Sequence, residues 1–381
     1  MNQSQSKLIN LLFFATLILG LETPLQAQIA RIDSITPKTG RVLLKREDST
    51  DFIPFAPGAS INEGDQIFPA QGVRVRVVCP DRTNKPVSAG VPSGIKTICP
   101  IWEVRIVKAP QPPGTLGGIN LSIPFVMSPR HSLLLSNTPI LRWNAVSGAT
   151  QYAVQLMSPK DTVWKGQVKG DQIVYPGNPP LEPGVSYSLE VQANTGQSSK
   201  PDGASNIAFI VLRPTEAQSV QAEASQITQQ GLSSLVTALL LADFYSNYVL
   251  PAPTLEAYRL TLEAARSYNL TAEALATLET LTKRGENSPL VYRLLGDLYW
   301  QSGLAHLTTQ NYLKAIELAK SPEYLEEKTL AQFGLGEVYA ATNDLKQAIF
   351  WYEQAKMGYV DLGDALRADF LNRRLKTLKS R

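Results

Sequence analysis

The first third of the chain has the two-residue alternation that is typical of β-strands. Val73, Val75 and Val77 are separated by arginines, so one face of this segment is apolar and the other is charged. Turn-forming residues such as Pro57-Gly58 interrupt the segment at short intervals, which suits antiparallel strands better than βαβ units. The pattern therefore predicts an all-β domain over residues 28–115, a small antiparallel barrel or sandwich.

A second alternating segment follows a linker rich in proline and glycine at residues 109–118. Tyr152 and Val154 begin one of its period-two runs. The pattern predicts a second β-sandwich over residues 119–213. We expect Trp143 to lie in its core, because large aromatic side chains dominate such cores. A surface on which sugars stack is the alternative role for this tryptophan.

From about residue 226 the apolar spacing becomes helical, and a short motif repeats. Leu295–Tyr299 recurs forty residues later as Leu335–Tyr339, and each copy is followed thirteen residues on by another tyrosine. A repeat of this length indicates helix pairs that stack on one another. The pattern predicts an all-α solenoid over residues 226–381, and its last helix, which is amphipathic, would cap the open end.

The start of these repeats has two interpretations. One unit could begin near Leu235 and contain an insertion, or a helix pair could occupy residues 255–283. We favour the pair, because it ends just before Pro289 begins the next unit.

The first β domain contains four short motifs with glycine turns: Gly40-Arg41-Val42, Pro57-Gly58-Ala59-Ser60-Ile61, Glu63-Gly64-Asp65-Gln66-Ile67 and Gly72-Val73-Arg74-Val75. With these motifs the domain resembles the FecR-like domain. FecR-type regulators are membrane-spanning signalling proteins, and we do not carry that role over because the segments after the amino terminus include no predicted membrane helix.

The other two segments also contain family motifs. The second β domain contains Pro139-Ile140-Leu141-Arg142-Trp143, Gly148-Ala149-Thr150-Gln151-Tyr152 and Leu181-Glu182-Pro183-Gly184-Val185-Ser186-Tyr187. With these it resembles a fibronectin type III-like sandwich. The helical repeats contain Gly296, Tyr299, Tyr312 and Ala315 with their counterparts Gly336, Tyr339, Tyr352 and Ala355. With these they resemble the tetratricopeptide repeat family.

The amino terminus has the form of a signal peptide. Lys7 precedes an apolar run from Leu8 to Leu21, which is shorter than the roughly 20 residues that span a bilayer as a helix. We expect residues 1–27 to be removed after Ala27, so that a mature chain without a transmembrane anchor reaches the periplasm or the exterior of a bacterium.

Two cysteines, Cys79 and Cys99, lie in the first β domain. Because an exported chain folds in an oxidising compartment, we expect them to form a disulfide. Two buried free thiols are the alternative. Two thiols with no nearby histidine make a poor zinc site, so we expect no metal.

The charge of the chain argues against a nucleic-acid-binding function, and its residue types argue against an enzymatic one. The chain has 36 basic and 33 acidic residues, a net charge of +3 without a basic patch, so we expect no nucleic-acid partner. Histidine-dependent catalysis would have to use His131 or His306, and no nucleophile elbow, phosphate loop or metalloprotease motif is present. We expect a non-enzymatic protein without a cofactor.

The tetratricopeptide resemblance implies a groove, lined by the first helix of each pair, that binds a protein or peptide partner. The groove positions of that family fall on Arg293, Asp297, Trp300 and Gln301 in one repeat, and on Phe333, Glu337 and Ala340 in the next. We expect Trp300 to project into the groove and anchor the partner. An ordinary solvated surface is the alternative for the polar members of this set.

The leading hypothesis is therefore an envelope adaptor or scaffold. A sensing or signalling component, based on the FecR-like segment, and a cell-wall or carbohydrate binder, based on the sandwich, are the alternatives. The basic end of the last helix could make a peripheral contact with the envelope, although cations there also interact favourably with the helix dipole.

Overall fold

A computed structural model describes residues 26–47, 49–99, 106–107, 116–202, 208–250, 254, 258 and 268–380. A β-rich part comes first and an all-helical part follows it. We refer to residues 26–107 as the N-terminal β module, to residues 116–211 as the central β module and to residues 214–380 as the helical region. The predicted signal peptide lies outside the described residues except for Gln26 and Ala27, whose backbone begins the first strand.

The N-terminal β module consists of short strands in two sheets. Its elements are β1 Gln26–Thr36, β2 Val42–Lys45, β3 Ile53–Pro54, β4 Ser60–Asn62, β5 Gln66–Pro69, β6 Arg74–Val78, β7 Asn84–Val87, β8 Ser93–Gly94, α1 Ile95–Ile98 and β9 Ile106–Val107. One sheet has the order β4-β1-β6-β7, with β9 also paired to β1, and the other has the order β3-β2-β5-β8. The strand pairs are antiparallel, and no barrel closes within the described residues.

The alternation that predicts these strands is confirmed in β6. Val75 and Val77 are buried, whereas Arg74 and Arg76 face solvent. Just beyond this strand, Cys79 forms a disulfide with Cys99 at the end of α1, and the Cα atoms of the two cysteines are 5.5 Å apart. The predicted disulfide is therefore present, and both of its residues belong to the buried core of the module.

The central β module also contains two sheets. Its strands are β10 Val126–Ser128, β11 Ser132–Leu134, β12 Ile140–Trp143, β13 Tyr152–Met157, β14 Thr162–Val168, β15 Gln172–Val174, β16 Ser186–Ala193 and β17 Ala208–Val211. The strand orders of the two sheets are β10-β12-β15 and β11-β17-β16-β13-β14, and the β11–β17 pair is parallel. Trp143 is 1% exposed and its ring contacts that of Tyr152, so its predicted core position is confirmed and its alternative role as a surface for sugar stacking is excluded.

The helical region begins at Pro214, upstream of residue 226 where the sequence pattern first becomes clearly helical. The apolar spacing of the sequence does not reveal the first helix, because small side chains such as Ala217 and Ala224 form much of its buried face and give only a weak apolar pattern. The helices are α2 Pro214–Thr228, α3 Ser234–Ser246, α4 Thr271–Lys283, α5 Pro289–Gln301, α6 Ala305–Leu318, α7 Leu325–Ala341, α8 Leu345–Asp361 and α9 Ala365–Lys379. The proposed first helix of the 255–283 pair lies almost entirely outside the described residues.

The repeated sequence motif corresponds to a repeated contact between paired helices. A Cβ atom added at Gly296 of α5 would overlap the ring of Tyr312 in α6, and one added at Gly336 of α7 would overlap the ring of Tyr352 in α8. A small residue is therefore required where each tyrosine packs against the first helix of its pair. Three-residue connections join α5 to α6 and α7 to α8, so the second helix of each pair must run back along the first.

The same turn follows α5, α7 and α8, whereas the sequence motif has only two copies. The backbone amides of Leu304, Asp344 and Asp364 donate to the carbonyls of Tyr299, Tyr339 and Tyr359, at distances of 2.8–2.9 Å. The connection from α8 to α9 thus repeats the geometry of the two connections before it. This supports the prediction that α9 continues the stack and covers its end.

Replacing both Cys79 and Cys99 by alanine should lower the free energy of unfolding of the N-terminal β module. The expected loss is about 3 kcal/mol, because the disulfide closes a loop with a sequence separation of 20. Denaturant titration with hydrogen exchange at β6 measures it, and reductant should bring the unmodified protein to the same stability. Equal stability of the two proteins without reductant, or complete alkylation of both thiols in the native protein, would contradict the prediction.

Candidate functional site

The face of α5 nearest the N-terminal β module, together with the first turn of α7, combines apolar and charged side chains. Leu290, Arg293 and Asp297 have the spacing of one helix face. Glu326 and Glu327 lie in the first turn of α7, which follows a 3-10 turn at residues 322–324. We call these five residues the acceptor face.

Arg293 is the central charge of the acceptor face. Its guanidinium forms ion pairs with Asp297, one helical turn away, and with Glu327 of α7. Burial opposes the positive charge of Arg293, but the two carboxylates outweigh burial and raise the pKa of the guanidinium. Arg293 therefore stays charged and links α5 to α7.

A loop of the N-terminal β module lies directly against the acceptor face. This segment, residues 55–59 between β3 and β4, is called the docking loop here. Gly58 has a φ of +88°, and a Cβ atom at this position would lie 2.8 Å from Leu290 and 2.9 Å from Leu239 of α3. Only a glycine allows both the left-handed backbone and the close approach to these two leucines.

The β module itself holds the docking loop in shape. The amide of Gly58 donates to the carbonyl of Ile32 at 2.7 Å, and the guanidinium of Arg31 donates to the carbonyl of Gly58 at 2.9 Å. The amide of Phe55 donates to the carbonyl of Val42 at 3.0 Å. Since these bonds all lie within the N-terminal β module, they do not require contact with the helices.

An ion pair crosses from the β module to the acceptor face. Arg46 forms ion pairs with Asp65 in its own module and with Glu326 of α7, the latter at 2.6 Å. Its guanidinium also lies over the ring of Phe55, 4.9 Å from the centroid. Burial opposes the charge of Arg46, but Glu326 and Asp65 outweigh it and raise its pKa.

Further contacts extend the interface along the helical region. At one end, Asp33 accepts a hydrogen bond from the amide of Ser233, just before α3, at 3.1 Å. At the other end, the hydroxyl of Ser49 donates to the carbonyl of Leu362, between α8 and α9, at 3.2 Å. Ile53 packs against the apolar cluster of α7, α8 and α9. Arg82 also donates to the side-chain oxygen of Gln226 in α2 at 3.2 Å. The N-terminal β module therefore contacts the helical region from α2 to α9.

Four of the predicted groove residues have partners within the chain. Arg293 and Asp297 belong to the acceptor face, and Asp297 also accepts a hydrogen bond from Tyr312 at 2.7 Å. The remaining two are on α7. Glu337 accepts from the hydroxyl of Tyr352 at 2.5 Å and pairs with Arg374 at 3.0 Å, and Phe333 packs among the rings of Tyr352, Tyr359 and Phe370 at centroid distances of 6.1–6.5 Å.

The expectation that Trp300 projects into a groove is wrong. Trp300 is 3% exposed and packs in a cluster with residues of α6 and α7, including Ala315 and Leu335. The helical period places Trp300 on the same side of α5 as Arg293, but α7 packs over the carboxyl-terminal half of that side. Gln301 is half-buried, and its Oε1 atom has no hydrogen-bond partner in the described part of the chain.

Sequence reasoning missed the residues that join the β module to the helices. Glu326 and Glu327 stand as an acidic pair after Pro322, a pattern that also fits a favourable helix amino terminus without any further role. The sequence of the docking loop predicts only a turn at Pro57-Gly58. The run of small residues around that turn, between Phe55 and Ser60, was the available signal that a close approach was needed.

Three basic residues of α9 pair with carboxylates of the helical region. Arg367 pairs with Asp364, Arg374 with Glu337 and Lys379 with Glu353. These pairs favour a role in helix packing over a contact with anionic lipid.

Comparison with known proteins gives no family for this chain: no family model matches it, and no curated protein matches it significantly. In the described part of the chain, no helix combines the length and apolar character needed to cross a membrane.

Trp300→Ala should lower the free energy of unfolding of the helical region by about 3–5 kcal/mol, because it leaves a large cavity between α5, α6 and α7. Phe350→Ala on α8 is the control. Phe350 is 48% exposed, so its loss should change the stability by only about 0.5 kcal/mol. Thermal and denaturant unfolding would measure both variants. A Trp300→Ala protein as stable as the Phe350→Ala protein would contradict the buried position.

Proposed function

We propose that this protein is a non-enzymatic scaffold of a bacterial cell envelope, in which the helical region is a tetratricopeptide-type array that binds a segment of a protein partner. The FecR-like and fibronectin type III-like modules would position that array. The observation that carries the proposal is the acceptor face, which already holds a protein segment, the docking loop, through both apolar and ionic contacts.

The repeated helix contacts support the assignment to a tetratricopeptide-type array. In that family a small residue on the first helix of each pair admits an aromatic residue of the second, and Gly296 with Tyr312 and Gly336 with Tyr352 make this contact. Ala315 and Ala355, the second small positions of the motif, are fully buried.

The chemistry of the acceptor face fits a protein segment. Leu290 offers an apolar contact to a small residue such as Gly58, and Glu326 offers a carboxylate to a basic side chain such as Arg46. Such a face would recognise a turn of small residues that carries an arginine nearby. Interfaces of this kind obtain affinity from the apolar contact and specificity from the charge.

The location in the envelope is supported by the disulfide and by the apolar run near the amino terminus. A disulfide between Cys79 and Cys99 persists in an oxidising compartment such as the periplasm.

A photoreactive phenylalanine analogue at Tyr324 would test the proposed function. Tyr324 lines the small cleft between the docking loop and the acceptor face, so the full chain with this label should form a discrete intermolecular adduct in envelope extracts. The same analogue at Phe350, an exposed aromatic position on α8, is the control and should not form that adduct.

The outcome depends on the difference between the two positions. Adducts from position 324 that are absent at position 350 are the expected result, and gel shifts with mass spectrometry would identify them. No intermolecular adduct from position 324, even when Gly58→Ala also displaces the docking loop from Leu290, would contradict the proposal. The same set of adducts from both positions would also contradict it.

A further inference from the structure

The N-terminal β module and the central β module attach to the helical region in different ways. The central module contributes apolar side chains to clusters that also contain helix residues: Phe125 packs with α3, α4 and α5, and Leu133 and Ile210 pack with α2 and α3. These residues are therefore part of a shared core. Separating the central module from the helices would expose it to water.

The N-terminal β module has a separate core, to which the helices contribute no buried residue in the described part of the chain. Among the described residues, the buried members of its apolar cluster all lie between Ala30 and Cys99. Its contacts with the helices come from small residues of the docking loop, from Ile53 and from polar groups such as Arg46 and Ser49. Interfaces of this kind between domains resemble transient protein–protein interfaces, and relative motion of the two parts is the usual consequence.

The docking loop has the properties of a ligand whose shape is already fixed. The hydrogen bonds from Gly58 to Ile32 and from Arg31 to Gly58 lie inside the β module, so the loop keeps its turn when it leaves the helices. On separation, the buried residues of the β module's own apolar cluster would keep their contacts with one another, and Ile53 would lose its contact with the helices. The acceptor face, in contrast, would expose Leu290 and leave Glu326 without Arg46.

We propose that the docking loop is an internal ligand that masks the acceptor face, so that an external protein segment binds only after the N-terminal β module has moved away. This inference rests on the proposed function of the acceptor face and adds its regulation. The external segment must resemble the docking loop, with a turn of small residues and an arginine placed to meet Glu326. Because the loop is tethered to the face, its effective concentration is high, and it competes strongly with any partner.

Two glycines of the N-terminal β module allow a matched test. Gly58 and Gly72 both have a positive φ, +88° and +77°, so alanine strains the backbone at either position. At Gly58 the added Cβ atom would lie 2.8 Å from Leu290, whereas at Gly72 it would meet nothing within 4 Å. Gly58→Ala should therefore displace the module from the helices, and Gly72→Ala should not.

The probe is a fluorescent peptide with the sequence of residues 30–62, which includes the hydrogen-bond partners Arg31, Ile32 and Val42 of the docking loop. It is titrated into the full-length chain and its two variants. Since the apparent affinity is reduced by the fraction of molecules with an open face, Gly58→Ala should bind the peptide at least about tenfold more tightly than the unmodified chain. Gly72→Ala should bind like the unmodified chain. Hydrogen exchange at α5 and at the first turn of α7 should increase in Gly58→Ala only.

A second variant, in which the charge at position 326 is reversed, still tests the inference if Gly58→Ala does not fold. Glu326→Lys changes the helical side and places a lysine beside Arg46, so it should also open the face. A peptide in which glutamate replaces Arg46 is its matched probe, and Glu326→Lys should bind this peptide more tightly than the original one.

The results separate this inference from the proposed function. Equal binding of the original peptide by the unmodified chain, Gly58→Ala and Gly72→Ala would show an unmasked face, which overturns the inference and leaves the proposed function standing. Increased exchange in the opened variants without binding of either peptide would overturn the proposed function together with the inference. Unchanged exchange at the acceptor face in both Gly58→Ala and Glu326→Lys would show that the loop cannot be displaced, and this result also overturns the inference.

Discussion

The arrangement of the N-terminal β module on the helices depends on the ion pair between Arg46 and Glu326. Both side chains are largely buried, and a buried charge is costly unless it is paired and hydrogen-bonded. Asp65 supplies a second carboxylate for Arg46 within the β module. Removing Glu326 would leave Arg46 with that carboxylate, so the β module could stay folded while its contact with α7 is lost.

Two further ion pairs, both made by Arg293, fix the helical side of the interface. Arg293 joins Asp297 and Glu327, and the hydroxyl of Tyr312 donates to Asp297. These bonds fix the relative positions of α5, α6 and α7 without any contribution from the N-terminal β module. The acceptor face is therefore preorganised, and binding to a preorganised face costs less conformational entropy than binding to a flexible one.

Sequence patterns predicted the local features of this protein well. The alternation in β6 follows from the two-residue spacing of its valines. The Cys79–Cys99 disulfide follows from the oxidising compartment expected for an exported chain. The core position of Trp143 follows from the preference for large aromatic side chains in the core of a β-sandwich. The internal repeat of the sequence corresponds to a repeated contact, since Gly296 packs against Tyr312 and Gly336 packs against Tyr352 in the same way.

Features that depend on distant parts of the chain could not be predicted in this way. The helical period shows on which side of α5 the side chain of Trp300 lies, but it does not show that α7 covers this side chain. Likewise, Arg46 and Glu326 are 280 residues apart in sequence, and no local pattern indicates that they meet. The sequence of the docking loop predicts only an ordinary turn, because it does not show that Gly58 lies against Leu290 and Leu239.

The most direct test of this account is a double-mutant cycle on Arg46 and Glu326 in the full-length chain. Native-state hydrogen exchange at the amides of α5 would give the free energy of opening for the unmodified protein, Arg46→Ala, Glu326→Ala and the double variant. We expect a coupling energy of about 1–3 kcal/mol, since residues that contact each other within one ion pair are not additive. Additive effects of the two substitutions, with no coupling, would contradict the claim that this pair holds the N-terminal β module on the acceptor face.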